Sequence, residues 1–418
     1  MGHLPLTDSA LRARYRQVRA ETAHLSSFLS PEDHGVQSMP DASPAKWHLA
    51  HTTWFFETVV LLPHAEGYRP FDEDYFVLFN SYYESLGPRH PRPQRGLLTR
   101  PSLEDVKAYR AHVDEAMERL LGSDRLTETG AYLATLGLHH EQQHQELILT
   151  DIKHAFSLNP TLPAFAKTAS RPGEAVAPLA WKKEEGGVVQ IGHAGSRFAF
   201  DNEVPRHDVL LRPYRLATRP VTNGEFLAFM EDGGYATPTL WLSDGWAMVQ
   251  REGWRAPLYW LEGDGGFQIF TLGGKRALDP DGPVAHVSFF EASAFAQWAG
   301  KRLPTEFEWE HAARAAPVHG NFLDTNVLHP RAASPSDGYA QLFGDVWEWT
   351  RSSYDPYPGF RPFDGALSEY NGKFMVGQLV LRGGSCATPQ GHIRPTYRNF
   401  FPPAARWQFS GIRLAEDA

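Results

Sequence analysis

His140 and His144 are the residues whose type and spacing most directly suggest chemistry. They lie in the run His139-His140-Glu141-Gln142-Gln143-His144-Gln145-Glu146. A separation of four is about one helical turn, so in a helix both imidazoles project from one face, one above the other. Leu133, Leu136 and Leu147 share that stripe, which turns it toward an apolar core. His139 is rotated off it by about 100°. Paired imidazoles on a core stripe are ligands for zinc or iron. Upstream, Trp47-His48-Leu49-Ala50-His51 offers two more, with His51 on a stripe beside Trp47 and Phe55. Two facing helices can thus bring three imidazoles to one ion. The segment His140-Glu141-Gln142-Gln143-His144 also reads His-Glu-x-x-His, the zinc hydrolase pattern in which Glu141 would be the general base. The metzincin continuation is absent, since Leu147 replaces its glycine and Thr150 its third histidine. A separate carboxylate such as Glu184 would have to complete that site.

Four helices are needed to position these residues. The first spans the stripe Leu11, Tyr15, Val18 and Leu25, with Thr7-Asp8-Ser9 as its cap. The second runs from about Ala45 to Leu62. The third starts at the capping pair Ser102-x-x-Asp105 and carries Val106, Tyr109, Val113, Met117 and Leu120. The fourth runs from about Thr129 to Phe156. Amphipathic helices of this length imply a four-helix bundle with ligands in its core over residues 1–165. The connection from Pro63 to Pro101 is too long for a plain turn and reads as a functional loop. Residues 166–185, rich in proline and ending Lys182-Lys183-Glu184-Glu185, read as a linker. Residues 186–418 change texture to short β runs (Gly187–Ile191, His207–Leu211), two helical segments (Asn223–Glu231, Phe290–Gly300) and many turns, an irregular α+β domain.

Composition bounds the partners. Hydrophobic residues make up 42% and charged residues 21%, as in a globular chain with a real core. Net charge is −9 and no Lys/Arg cluster offers a nucleic-acid surface. No apolar run reaches the roughly 18 residues of a membrane span. The N-terminus lacks the basic and apolar regions of a signal peptide. With one cysteine, Cys386, there is no intrachain disulfide and no multi-cysteine metal site. A thiol-reducing cytoplasm is the expected compartment, and with 19 histidines imidazole is the expected ligand if a metal is bound.

Taken together, these segments resemble the ergothioneine-type sulfoxide synthases (EgtB-like enzymes), over nearly the whole chain. The first half resembles a DinB-like bundle, through Trp47-His48-Leu49-Ala50-His51 and His140-x-x-x-His144-x-Glu146. The loop segments Phe79-Asn80-Ser81-Tyr82-Tyr83-Glu84 and Arg95-Gly96-Leu97-Leu98-Thr99-Arg100-Pro101 are specific to the branch related to cysteine-using members. The second half resembles the formylglycine-generating-enzyme fold, a C-lectin-like domain. The matching segments are Pro220-Val221-Thr222-Asn223, Arg302-Leu303-Pro304-Thr305-Glu306-Phe307-Glu308-Trp309-Glu310, Gly344-Asp345-Val346-Trp347-Glu348-Trp349-Thr350, Arg382-Gly383-Gly384-Ser385 and Gly411-Ile412-Arg413. Most of these motif residues are expected to be scaffold. Formylglycine-generating enzymes use a cysteine pair for copper, and Cys386 alone rules that activity out.

The resemblance implies an Fe(II) centre held by His51, His140 and His144, with His48 as the fallback for His51. It implies O2-dependent joining of the thiol sulfur of cysteine to hercynine, giving a sulfoxide. Selenoneine synthase, with a selenosugar donor, is a close relative. A zinc-dependent DinB-like thiol transferase or hydrolase is the alternative from another class. Tyr82 and Tyr83 become candidate proton or hydrogen-atom donors. Gln143 is expected to contact the substrate imidazole, Asn399 the hercynine carboxylate, and Phe400 and Phe401 the trimethylammonium. Arg92, Arg95 and Arg406 are candidates to grip the donor's carboxylate.

Overall fold

The computed structural model describes residues 8–167, 176–334 and 338–418. The chain forms two compact units. The first holds residues up to Phe165 together with two short returns from later in the chain, Gly195–Phe198 and Phe363–Tyr370; the second holds the rest. A single boundary near residue 165 is therefore crossed again by both returns.

The first unit is built on four helices. Helix α1 (Asp8–Ser26) buries Leu11, Tyr15, Val18 and Leu25, as its stripe requires. The expected cap at Thr7-Asp8-Ser9 involves Thr7, which lies outside the described residues. Helix α2 (Ala45–Phe55) continues through a π-helical turn (Phe56–Leu61) into Leu62–His64. The widened turn carries the buried Glu57, whose carboxylate accepts from Tyr68 Oη (2.6 Å), Tyr109 Oη (2.6 Å) and Phe71 N (3.1 Å). Helix α3 (Leu103–Leu121) begins at a complete capping box, Ser102 and Asp105 each bonding the other's backbone N–H. Helix α4 (Glu128–Ser157) is capped by Thr127 and is the longest in the structure described. It packs on α1 and α2, and α3 packs on the same two.

The connection between α2 and α3 is ordered around short turns at Tyr75–Leu78, Glu84–Leu86 and Arg92–Leu97. Asn80 braces it: its Oδ1 accepts from Tyr83 N (3.1 Å) and its Nδ2 donates to Tyr83 O (3.0 Å).

The second unit contains small sheets set among loops. Strands β1 (Trp181–Glu184), β4 (Tyr214–Ala217) and β12 (Ala415–Asp417) form one antiparallel sheet in the order β1-β4-β12. Strands β2 (Gly187–Ile191) and β3 (His207–Leu211) form a pair. Strands β5 (Trp260–Leu261), β6 (Gln268–Thr271) and β7 (Gly274–Ala277) form a third sheet. The fourth has the order β10-β9-β8-β11, from β8 (Trp347–Ser353), β9 (Leu379–Arg382), β10 (Asn399–Phe401) and β11 (Ser410–Gly411). Its helices include Asn223–Glu231 and Phe289–Trp298, close to the expected bounds.

The linker expected over residues 166–185 needs correction, because its last residues are strand β1. The Lys182-Lys183 pair reads as solvated charge, and on an edge strand it is: both side chains face outward while Glu184 turns in. Residues 168–175 of that stretch lie outside the described residues. The scaffold expectation for the motifs holds. Glu348, fully buried, binds Arg413 (2.7 Å to Nη2) and Trp309 Nε1 (2.6 Å). Glu306 is gripped by Arg382 and Arg398 (both 2.8 Å). No described helix is long and apolar enough to cross a membrane.

Helix α4 meets the π turn closely at Gly137, where an added Cβ would lie 2.6 Å from the ring of Phe56. Gly137→Ala should therefore cost about 1–3 kcal/mol of stability through overpacking, outweighing alanine's better helix propensity. Urea unfolding checks this, and a variant as stable as its parent would show that the contact is slack.

Candidate metal centre

The middle of α4 is polar and nevertheless buried. From His139 to Glu146 only Gln143 is appreciably accessible. Such a stretch needs partners on every side. Glu141 accepts from Arg19 Nη1 (2.9 Å) on α1 and Arg110 Nη2 (3.0 Å) on α3. Burial would raise its pKa, but the two guanidiniums outweigh burial and hold the carboxyl below its usual range. Gln145 Nε2 donates to Val18 O (2.9 Å) and Thr22 Oγ1 (3.0 Å). These bonds lock α4 in rotation and aim His140 and His144 at α2.

There they meet His51. One nitrogen from each of His51, His140 and His144 lies within 4.8 Å of the other two, and all three rings are buried. His51 Nε2 and His140 Nε2 are 3.2 Å apart. His51 Nδ1 donates to the carbonyl of Phe79 (2.6 Å), which leaves the Nε2 lone pair facing the cluster. Trp47 and Trp54 stack on either side of His51, at 4.6 and 5.7 Å between centroids, and Phe55 lies 4.6 Å from His140. Burial drives all three pKa values down, His140 to about 3 and the other two well below normal, with the neighbouring histidines adding to the effect at His51 and His144. Neutral imidazoles converging from two helices in a dry cage fit a divalent transition-metal ion.

Several expected residues surround this cluster. Tyr82 and Tyr83 lie in the braced loop with rings 4.7 Å apart, and Tyr83 packs on Trp54 (5.7 Å). Burial, then the adjacent Tyr82, raises the Tyr83 phenol well above its normal pKa, so it keeps its proton. Gln143 accepts a 2.6 Å bond from Tyr370 Oη. Arg95 is buried with its guanidinium 3.3 Å over the Trp47 ring, and Trp47 is the residue stacked on His51. It donates to Ser43 Oγ (2.9 Å) and Ser81 Oγ (3.2 Å), and the carboxylate of Asp151 acts on it only electrostatically, with no ion pair between them among the described residues. Burial, with Arg92 and Arg89 nearby, lowers its pKa.

Other expected residues have different surroundings. Arg92 is exposed and donates to the carbonyl of Asp41. Arg406, in the second unit, pairs with buried Glu291 (2.8 Å) and stacks over Trp254 (4.3 Å). Also in the second unit, Asn399 Oδ1 accepts from Phe400 N (2.9 Å), Phe400 stacks on Tyr354 (4.0 Å, 12°), and Phe401 packs near Trp407 (6.0 Å). His48 is not in the three-nitrogen cluster; it bonds His144 from behind. The zinc hydrolase reading loses its base, because both oxygens of Glu141 are engaged by arginine. Glu184 is held by Tyr339 Oη (3.0 Å) and Arg314 (3.4 Å) within the second unit.

Two features of the centre have no counterpart in the sequence reading. Tyr370 arrives on the second return and packs edge-on against His140, 5.9 Å between centroids. Beside it, Glu369 accepts from the backbone of Glu84 (3.1 Å) and Ser85 (2.9 Å), pinning the tyrosine loop. His139, off the metal stripe, stacks flat on Phe198 of the first return (4.2 Å, 7°).

Comparison with known proteins agrees with this geometry. Residues 14–148 match the DinB superfamily, and residues 183–341 and 333–418 match the sulfatase-modifying factor enzyme 1-like domain. Hercynine oxygenase of Mycobacterium tuberculosis is 33% identical over 97% of this chain and 98% of its own. This chain belongs to the hercynine oxygenase family. The Mycolicibacterium smegmatis hercynine oxygenase is 35% identical over 96% of this chain and 97% of its own. The formylglycine-generating enzyme of Streptomyces coelicolor is 36% identical over 60% of this chain and 94% of its own.

The neutral histidines give this family member a pH signature in its metal-free form. Each is deprotonated when folded but takes up a proton near pH 6.5 when unfolded, so the unfolded state gains protons as pH falls and stability drops with it. Between pH 7.5 and 5.5 the metal-free protein should lose about 1.4 kcal/mol for each histidine that stays neutral. Denaturant unfolding at the two pH values measures it; equal stability would mean the imidazoles are protonated when folded.

Proposed function

We propose that this chain is a hercynine oxygenase: an iron(II)- and O2-dependent sulfoxide synthase that joins the sulfur of cysteine to the imidazole carbon of hercynine. The observation that carries it is the convergence of His51, His140 and His144 in a chain that aligns end to end with hercynine oxygenases. The balanced reaction takes a thiol, an imidazole C–H and O2 to a C–S bond, one S=O and one water, so both hydrogens end on the water oxygen. Iron held by the three neutral imidazoles would keep its full 2+ charge and open positions, and would supply O2 activation with thiolate binding.

The chain's own residues supply the rest. The phenols of Tyr82 and Tyr83, with Tyr370 across the centre, can deliver the protons that end on water. Gln143, held by Tyr370, presents its amide to the substrate imidazole. Arg95 would grip the donor's carboxylate, and a buried guanidinium bonded only to serine hydroxyls favours an amino-acid donor over an uncharged selenosugar. The stack of Arg95 on Trp47 and of Trp47 on His51 sets that carboxylate near the metal. A reaction on a thiol substrate, in a chain whose one cysteine is buried and can form no intrachain disulfide, suits the reducing cytoplasm.

Protein purified without oxygen and loaded with iron(II) should consume O2 only when both hercynine and cysteine are present, and release a sulfoxide. No dependence on hercynine, or activity with the selenosugar alone, would overturn the assignment. Phenylalanine at Tyr82 or Tyr83 should lower sulfoxide yield and divert turnover to plain thiol oxidation, read by product analysis. Parent-like product ratios in both variants would remove these two phenols from the proton path. Arg95→Lys should cut kcat/KM for cysteine about 10- to 100-fold, the worth of a charged hydrogen bond. An unchanged value would place the carboxylate elsewhere.

A further inference from the structure

Two side chains that the proposed chemistry leaves unused stand directly behind His144. His48 Nδ1 lies 2.8 Å from His144 Nδ1, and His48 Nε2 lies 3.1 Å from Asp151 Oδ2. All three residues are buried. Asp151 Oδ2 also accepts from the backbone N–H of Ser43 (2.8 Å). The direction of each bond follows from the carboxylate end, because a carboxylate accepts and cannot donate. His48 Nε2 must therefore carry the hydrogen. In a neutral ring that leaves His48 Nδ1 as a lone pair, so His144 must donate through Nδ1–H. His144 then has one free lone pair, on Nε2.

We infer that His48 and Asp151 are positioning residues that fix the tautomer and ring orientation of His144 and present its Nε2 to the metal. The inference rests on His144 being a ligand, as proposed above. It gives His48 a role different from that of substitute ligand. It also explains an asymmetry among the three ligands. His51 is oriented by a neutral carbonyl, His144 by a carboxylate acting through a second imidazole, and His140 Nδ1 has no hydrogen-bond partner among the described residues. His144 is thus the most electron-rich of the three donors, and Ser43 ties its support to the loop that carries Arg95, since Ser43 Oγ accepts from that guanidinium.

The test uses the full chain, with cobalt(II) and iron(II) as anaerobic probes in competition with a chelator. His48→Phe keeps the ring volume but removes the acceptor; His48→Gln restores an acceptor toward His144 and a donor toward Asp151. His48→Phe should weaken metal binding about 10- to 100-fold and His48→Gln only about threefold, the range for losing or keeping such a support. The cobalt ligand-field spectrum should shift in the first variant and return toward the parent's in the second. Far-UV circular dichroism reports the fold. If His48→Phe fails to fold, the isosteric Asp151→Asn, which removes charge but keeps shape, carries the comparison and should weaken binding about tenfold. In the metal-free parent, 15N NMR should show His144 as the Nδ1–H tautomer. Parent-like affinity in a folded His48→Phe, or an Nε2–H tautomer at His144, would overturn the inference. A parent that binds neither ion would instead overturn the metal-centre assignment.

Discussion

Three imidazole lone pairs brought together inside a dry cage repel one another, and the fold is arranged to hold them there. The energetic difficulty is met at a distance from the site. Glu141 is clamped between Arg19 of α1 and Arg110 of α3, Gln145 is bonded to α1, and the capped ends of α3 and α4 fix the register of those helices. A buried ion triad of this kind adds little net stability, since desolvation offsets its attraction. What it supplies is orientation: α4 cannot rotate without leaving Glu141 unpaired in the core. The imidazoles are thereby held facing one another, the kind of fixed arrangement that pre-organised sites require.

The centre is assembled from parts of the chain that differ in how strongly they are fixed. The histidines sit on two deeply packed helices of the first unit. The tyrosines sit on a loop secured by Asn80 from within and by Glu369 from the second return. Rigid helices hold the ligands and tethered loops hold the proton-bearing groups, a division suited to a site that must admit two substrates and oxygen.

How much of this could be read from residues alone depended on sequence distance. The His140/His144 pair, the Ser102–Asp105 box and the stripes of α1 and α3 are local, and helical periodicity reports them directly. His51 and His48 are three apart on one helix, so spacing leaves both available as ligands; only the hydrogen bond from His51 to Phe79 O and the Asp151 carboxylate behind His48 separate their roles. Glu141 matched a hydrolase motif because sequence shows that a carboxylate is present but not that two distant arginines already engage it. Arg95 and Arg406 look alike as letters and differ by one neighbour, Glu291. Tyr370 carries no local mark at all, since its role comes from a return of the chain more than two hundred residues after the helix it packs on. The Lys182-Lys183 segment was misjudged because edge strands and linkers share a charged composition.

The return that carries Tyr370 also sets an order of events during synthesis. All three histidines lie before residue 145, whereas Glu369 and Tyr370 come from the far end of the second half. At ordinary translation rates that interval lasts on the order of ten seconds or more. The nascent chain therefore presents its imidazoles well before it possesses the phenol that packs against them. Emergence of the three histidines and arrival of the residues that pack against them are separated in time by the path of the polypeptide itself.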